Sequence, residues 1–304
     1  MTEQNFLRGA SRAIAPPKHT FLYTKQRNRY LKEQWNKLGA TKRMTLIFGA
    51  RCTNGVVMVS DRLVKTGENI SYNIDKIRRC GNFQFAVFGA AGLGTLFEEF
   101  LALLPENVNR HIAWLNYQNE KLTRGKETDF PNNPKAPEPP LFHYSLEDFK
   151  HDCVELLTDM KKRYSVAFEN DDDCILQILF GVHTGTEAKL YYMDSINCLP
   201  AEVPEAVFIG YGERVEIFRK CWNPSMDMLS SAQLGAFAIK YIELDGITKN
   251  VGVGKDGIPQ IWVIPDGYPP LEMDLADERT KKMLSDVEIE VKSVYSKLHS
   301  LFRS

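Results

Sequence analysis

Thr45 directly follows a methionine in the stretch MTLIFGARCTNGVVMVSDR, Met44 to Arg62. If the chain starts at Thr45, one residue carries both a hydroxyl nucleophile and an α-amine of pKa ~7.7–8.0, partly free base at neutral pH. That amine takes the hydroxyl proton directly or through a water. An internal Thr45 has an amide there and no base, and a threonine opening a strand is then simple β-propensity. Asp61 closes the second arm of the same stretch. A hairpin register places it across from Ile47 or Phe48, roughly 7–10 Å along the strand from Thr45. That is beyond contact with the hydroxyl, but a long cationic side chain bridges such a gap. A lysine there lowers the threonine pKa while the aspartate holds it in place. Lys76 is a candidate, and Arg62, Lys65, Arg78 and Arg79 compete for the role.

The glycines of FGAAG, Phe88–Gly92, suggest a turn from strand into helix, where main-chain amides can stabilise an oxyanion. Gly89, Gly92 and Gly94 have the spacing GxxGxG and follow a hairpin, which argues against a dinucleotide fingerprint. NVGVGKDG, residues 250–257, is no phosphate loop, because Lys255 is followed by Asp256. The six cysteines form no CxxC pair, so no zinc site is expected and the thiols read as reduced, in a cytoplasm. His183 and Asp171–Asp173 lack partners at ligand spacing. Neither a cofactor nor a metal is expected.

The elements that must position these residues read as follows. Thr45–Cys52 and Val56–Asp61 are strands flanking Asn54-Gly55, a hairpin turn signal. A strand at Phe83–Phe88 leads to a helix at Thr95–Leu104. Residues 105–143 are polar with five prolines from Pro131 onward and read as an insertion whose second half is a loop. A helix at about Leu146–Tyr164 precedes strands at Ile175–Val182, Lys189–Met193 and Ala206–Gly210. A helix at about Met226–Leu244 and a strand at Gln260–Ile264 close the core. Strands and helices come in runs, which is an α+β plan with antiparallel sheet. In the tail, Leu284, Val287, Val291, Val294, Leu298 and Leu301 make an a/d seam. It serves either packing on the chain's own core or docking on another subunit.

The chain has 304 residues and a net charge of −1, enough to bury a large core and without the excess charge of a nucleic-acid binder. Residues 1–43 hold five Arg and five Lys against two Glu and read as a basic, solvated leader. No apolar run is long enough to span a bilayer, so no membrane partner is expected.

Together the hairpin, Asp61, Lys76 and the glycine stretch resemble the proteasome β-type subunits and the bacterial heat-shock peptidase of the same fold, N-terminal nucleophile (Ntn) hydrolases. The resemblance covers about Thr45–Asp266. It takes in LFGVHTGTEAKLYYMD as a strand-turn-strand and AIKYIELDGITKNVGVG as a helix ending in an aspartate. It implies a four-layer αββα sandwich of two antiparallel sheets. It also implies Thr45 as nucleophile, Asp61 and Lys76 as its activating pair, Gly89 at the oxyanion, and Asp245 and Thr248 around the threonine. Two departures stand out. Tyr211 replaces the family's serine in FIGYGE, and Met44 rather than a glycine precedes Thr45. The expected organisation is a basic extension over 1–43, a hydrolase domain over 44–270 and an amphipathic helix over 271–304. The expected function is a cytoplasmic threonine peptidase or amidohydrolase acting on peptides or unfolded protein, in a homo-oligomeric ring or with related subunits. The alternatives are a non-catalytic structural subunit with an internal Thr45, or a peptide ligase using the same acyl-enzyme.

Overall fold

The computed structural model describes residues 45–66, 70–81, 83–92, 94–127, 143–164, 176–210, 215–245 and 258–301, and structural statements concern these residues. The chain divides into two compact units, Met1–Thr41 with Asp159–Asp172 and Lys42–Thr158 with Asp173–Ser304. Of the first, only 159–164 is described, the end of a helix. The second holds all the strands.

The strands in chain order are β1 Leu46–Cys52, β2 Gly55–Ser60, β3 Leu63–Thr66, β4 Ile70–Asn73, β5 Ile77–Arg79 and β6 Ala86–Gly92. They continue with β7 Leu176–His183, β8 Ala188–Asp194, β9 Ala201–Glu202, β10 Ala206–Gly210, β11 Gln260–Pro265 and β12 Leu271–Glu272. The helices are α1 Gly94–Glu127, α2 Leu146–Arg163, α3 Glu216–Arg219, α4 Met228–Asp245 and α5 Glu278–Leu301. One five-stranded sheet has the order β10-β1-β2-β11-β12, the other β5-β6-β7-β8-β9, and β3-β4 is a separate hairpin. All the pairings are antiparallel.

Alternation along β1 and β2 sorts side chains between two cores. Ile47, Val56 and Met58 pack with Ile77, Val87, Leu179 and Leu190 of the second sheet. Leu46, Phe48, Val57 and Val59 pack with Ala232, Ile239 and Ile242 of α4 and Met283 of α5. Because both faces are buried, these strands read as continuous apolar runs. Over the far side of the second sheet, Phe88 meets Phe100 of α1 at 5.9 Å and Phe149 of α2 at 6.1 Å. The layers are therefore helix, sheet, sheet, helix: the expected αββα sandwich.

The sheets approach closely because glycine notches accept branched side chains from the opposite sheet. A Cβ on Gly49 would meet Leu179 Cδ2 at 2.5 Å, and one on Gly89 would meet Ile47 Cδ1 at 2.9 Å. A Cβ on Gly181 would overlap Ile264 Cδ1.

Several local expectations need correction. The hairpin turn is Thr53-Asn54, because Cys52 pairs with Gly55, so Gly55 is already in β2. Asn54 Oδ1 instead accepts the Met228 N–H at 3.0 Å and seats α4 on the hairpin. The FGAAG stretch is strand throughout, since β6 continues to Gly92. The segment read as an insertion from Pro105 is helical as far as Glu127, because α1 runs through the proline. A helical proline leaves the carbonyl four residues back without its N–H partner. That carbonyl, Leu101 O, accepts from the Cys80 thiol at 3.2 Å. Burial pushes the Cys80 pKa up to about 12, so the thiol keeps its proton. In the tail, Val287 and Val291 are buried against Ala236, Phe237 and Tyr241 of α4, so this part of the seam packs within the chain. No helix among the described residues is long and apolar enough to cross a membrane.

Arg51 Nη1 and Nη2 donate to Asp266 at 3.0 and 3.3 Å, and the Ala188 amide donates to Asp266 at 2.7 Å, tying β1, β8 and the end of β11. Burial alone would raise the Asp266 pKa, but Arg51 and the Ala188 amide outweigh it and hold it below the ordinary value. A depressed folded-state pKa contributes stability above the unfolded value of ~3.9, and that contribution is lost as pH falls through the folded pKa. Asp266→Asn should therefore flatten the acid limb of a stability–pH curve measured by thermal melting. Filling a sheet notch is expected to be worse: Gly89→Ala should cost about 1–3 kcal/mol in denaturant unfolding.

Candidate active site around Thr45

The register brings Asp61 closer to Thr45 than the sequence suggested. Ile47 pairs with Ser60, so Asp61 lies beside Leu46, the residue after Thr45. The Asp61 N–H donates to Leu46 O at 3.1 Å, and the Leu46 N–H donates to Asp61 Oδ1 at 2.8 Å. The carboxylate thus closes the hairpin at the point where the chain leaves Thr45.

Among the candidate cations whose side chains are described, Lys76 is found on Asp61. Its Nζ donates to Asp61 Oδ2 at 2.6 Å and to Leu63 O at 2.9 Å. Both side chains are buried, with exposures of 5% for Lys76 and 0% for Asp61. Arg62 instead pairs with Glu272 at 3.1 Å, and Arg78 binds Glu98. Arg79 donates to Pro270 O and lies over the Trp262 ring. The side chain of Lys65 is not among those described.

Thr45 itself is half-buried. Its carbonyl lies against Gly210, the last residue of β10, which has φ +85° and where a Cβ would overlap Thr45 O. The same absent Cβ would lie 3.0 Å from Ala91 Cβ of β6. The Gly210 N–H donates to Gln177 Oε1 at 2.8 Å, and Gln177 Nε2 donates to Tyr192 Oη at 3.4 Å. Glycine at 210 is therefore required twice, by a left-handed backbone and by the threonine carbonyl. Sequence reasoning passed over Gly210, although it adjoins the Tyr211 departure.

Gly89 sits in mid-strand, opposite Ile77 on one side and Leu179 on the other, with Ile47 filling the space a side chain would take. It therefore neighbours the residue that follows Lys76. Asp245 is the last residue of α4. Its side chain, Thr248 and Tyr211 lie outside what is described. A possible ligand cluster of His151, Asp152 and Glu155 lies on α2, with donor atoms within 4.8 Å of one another. Asp152, however, already accepts from Tyr144 at 2.7 Å and meets His111 at 3.0 Å.

Chemically, the site offers an ammonium beside a carboxylate at the head of a strand, with a hydroxyl residue immediately before it. Removing Lys76 alone strands a buried carboxylate, so Lys76→Met should destabilise the fold by about 3–5 kcal/mol. Adding Asp61→Asn to that variant should recover part of the loss in urea unfolding.

No family model matches the chain, and no curated protein matches it. The reading of the chain as a proteasome β-subunit-like protein of the N-terminal nucleophile hydrolase family is corrected: the likeness found is to solved structures of Anbu, and at their identity it carries a fold and no family. Similarity is found in solved structures. Anbu from Hyphomicrobium sp. strain MC1 is 13% identical with a TM-score of 0.51, covering 83% of this chain and 97% of that one. A Gly-1 mutant of the same protein is 12% identical with a TM-score of 0.52, over 83% and 97% of the two chains. Anbu from Yersinia bercovieri, described as an ancestral beta-subunit, is 11% identical with a TM-score of 0.51, over 83% and 96%. What this chain shares with them is a fold, a sandwich of two antiparallel sheets between helices.

Proposed function

We infer that this chain is a threonine-type amidohydrolase acting on peptides, with Thr45 as nucleophile once residues 1–44 are absent. One observation carries the reading: a buried Lys76–Asp61 pair hydrogen-bonded to the amide of Leu46, directly after Thr45. Burying an ion pair costs several kcal/mol of desolvation per ion, and a pair of apolar residues would fill the space as stably. A pair kept beside a hydroxyl residue has a chemical use. The lysine favours the alkoxide form of the threonine, Asp61 holds the lysine, and the free α-amine of Thr45 takes the hydroxyl proton.

The attack forms a bond from Thr45 Oγ to the substrate carbonyl carbon, with main-chain amides near Gly89, toward the Gly92 end of β6, holding the oxyanion. Collapse expels the amine, which receives the proton, and water then cleaves the ester. Asp245 and Thr248 belong to this proposal as residues around the threonine. A fold neighbour is described as an ancestral beta-subunit. We extend this to assembly of the present chain into a homo-oligomer in the cytoplasm.

The test is the intact mass and N-terminal sequence of protein purified from its native host. A chain beginning at Thr45 supports the reading. A chain that retains residues 1–44 leaves the threonine without its amine and favours a structural role. In the processed protein, Thr45→Ala should lower peptide hydrolysis by about ten-thousandfold while the melting curve stays in place. Unchanged turnover would sink the mechanism.

A further inference from the structure

Lys76 stands just before β5, an edge strand of the second sheet, while Asp61 follows β2 of the first. Their contact at 2.6 Å therefore depends on how the sheets are held together at this point. An edge strand leaves a row of main-chain donors and acceptors facing outward. At Ile77, next to Lys76, that row is met by a side chain from the other sheet. Gln260 of β11 accepts the Ile77 N–H with Oε1 at 2.9 Å and donates from Nε2 to Ile77 O at 2.8 Å. The carboxamide thus pairs with Ile77 as a residue of a further strand would.

The same side chain reaches Asp61 from the other direction. Gln260 Oε1 accepts from the Ser60 hydroxyl at 3.3 Å, and Ser60 is the residue before Asp61. Nε2 has a second acceptor in Glu272 at 3.3 Å. Gln260 is only 1% exposed and Ser60 0%. One buried carboxamide therefore touches the residue before the aspartate and the residue after the lysine. The pattern needs an amide: a carboxylate could not donate to Ile77 O, and an apolar chain would leave three buried polar atoms without this partner.

We propose that Gln260 is the positioning residue that sets Lys76 on Asp61, by clamping Ile77 of one sheet to Ser60 of the other. Its functional meaning rests on the amidohydrolase reading. Without Gln260 the edge of β5 is released, and the lysine leaves the carboxylate more often.

The test uses the full chain and the variants Gln260→Ala and Gln260→Met, the second keeping the volume filled. Acetic anhydride labelling is read by mass spectrometry, with exposed Lys282 as reference and the buried Cys153 thiol as a monitor of general opening. In both variants Lys76 should label about tenfold faster relative to Lys282, with Cys153 still protected from a thiol reagent. Unchanged Lys76 labelling overturns the proposal. So does a rise in Lys76 and Cys153 together, which marks general loosening. Where the wild type hydrolyses peptide, Gln260→Met should lower kcat about tenfold with KM unchanged, and an unchanged kcat overturns the positioning role. A wild type that begins at Thr45 and shows no hydrolysis removes the amidohydrolase reading, while the labelling still decides whether Gln260 holds Lys76.

Discussion

The carboxylate of Asp61 has no access to solvent, and a buried charge must be answered from within the protein. Here it is answered by the Lys76 ammonium and the Leu46 amide. Those two contacts reach across the molecule. Leu46 belongs to the first sheet, and Lys76 comes from the link that feeds the second. The main chain after Asp61 is drawn in as well, through Leu63 O on the lysine. The head of β1, where Thr45 sits, is thus fixed by electrostatics as much as by strand pairing. Such a pair contributes little net stability over an apolar replacement, but it punishes any arrangement that separates the two charges.

That arrangement requires two sheets at short range. Glycine notches at 49, 89 and 181 provide the approach, each filled by a branched side chain from the opposite sheet. Two glutamines then join the sheets by hydrogen bonds on either side of the threonine. Gln260 reaches from the first sheet to the Ile77 main chain, and Gln177 reaches from the second to the Gly210 amide. Carboxamides suit this work because each offers both a donor and an acceptor without adding a charge. Gly210 completes the enclosure by letting the Thr45 carbonyl lie on its α-carbon.

Much of the framework was legible from local pattern. The two arms of the hairpin, β7, β8, β10, β11 and the helices α2, α4 and α5 lie within a few residues of where apolar runs and periodicity put them. The short strands β3, β4, β5, β9 and β12 were not legible, because two to four residues carry no periodicity of their own. The proline in α1 was read as a boundary, since nothing in its neighbourhood shows that Cys80, distant in sequence, would take up the spare carbonyl. The glycines of FGAAG looked like a turn because glycine signals freedom of φ, whereas Gly89 is there for space inside the sandwich.

By itself the sequence determined an α+β plan with antiparallel sheet, the hairpin that starts at Thr45 and the candidacy of Asp61 and Lys76, because runs of apolar strands and helices and charge in an apolar context leave marks on local composition; the αββα layering was what the family resemblance implied. The sequence left Lys76 in competition with four other cations and set Asp61 one or two positions too far from Thr45. Only the tertiary structure put the Lys76 ammonium on Asp61 and set Asp61 beside Leu46. It also revealed Gln260, Gln177 and Gly210 as the residues enclosing the site. The reason is physical: strand register and the contact of two sheets are relations between segments far apart in the chain, and no local pattern encodes which edge will meet which side chain.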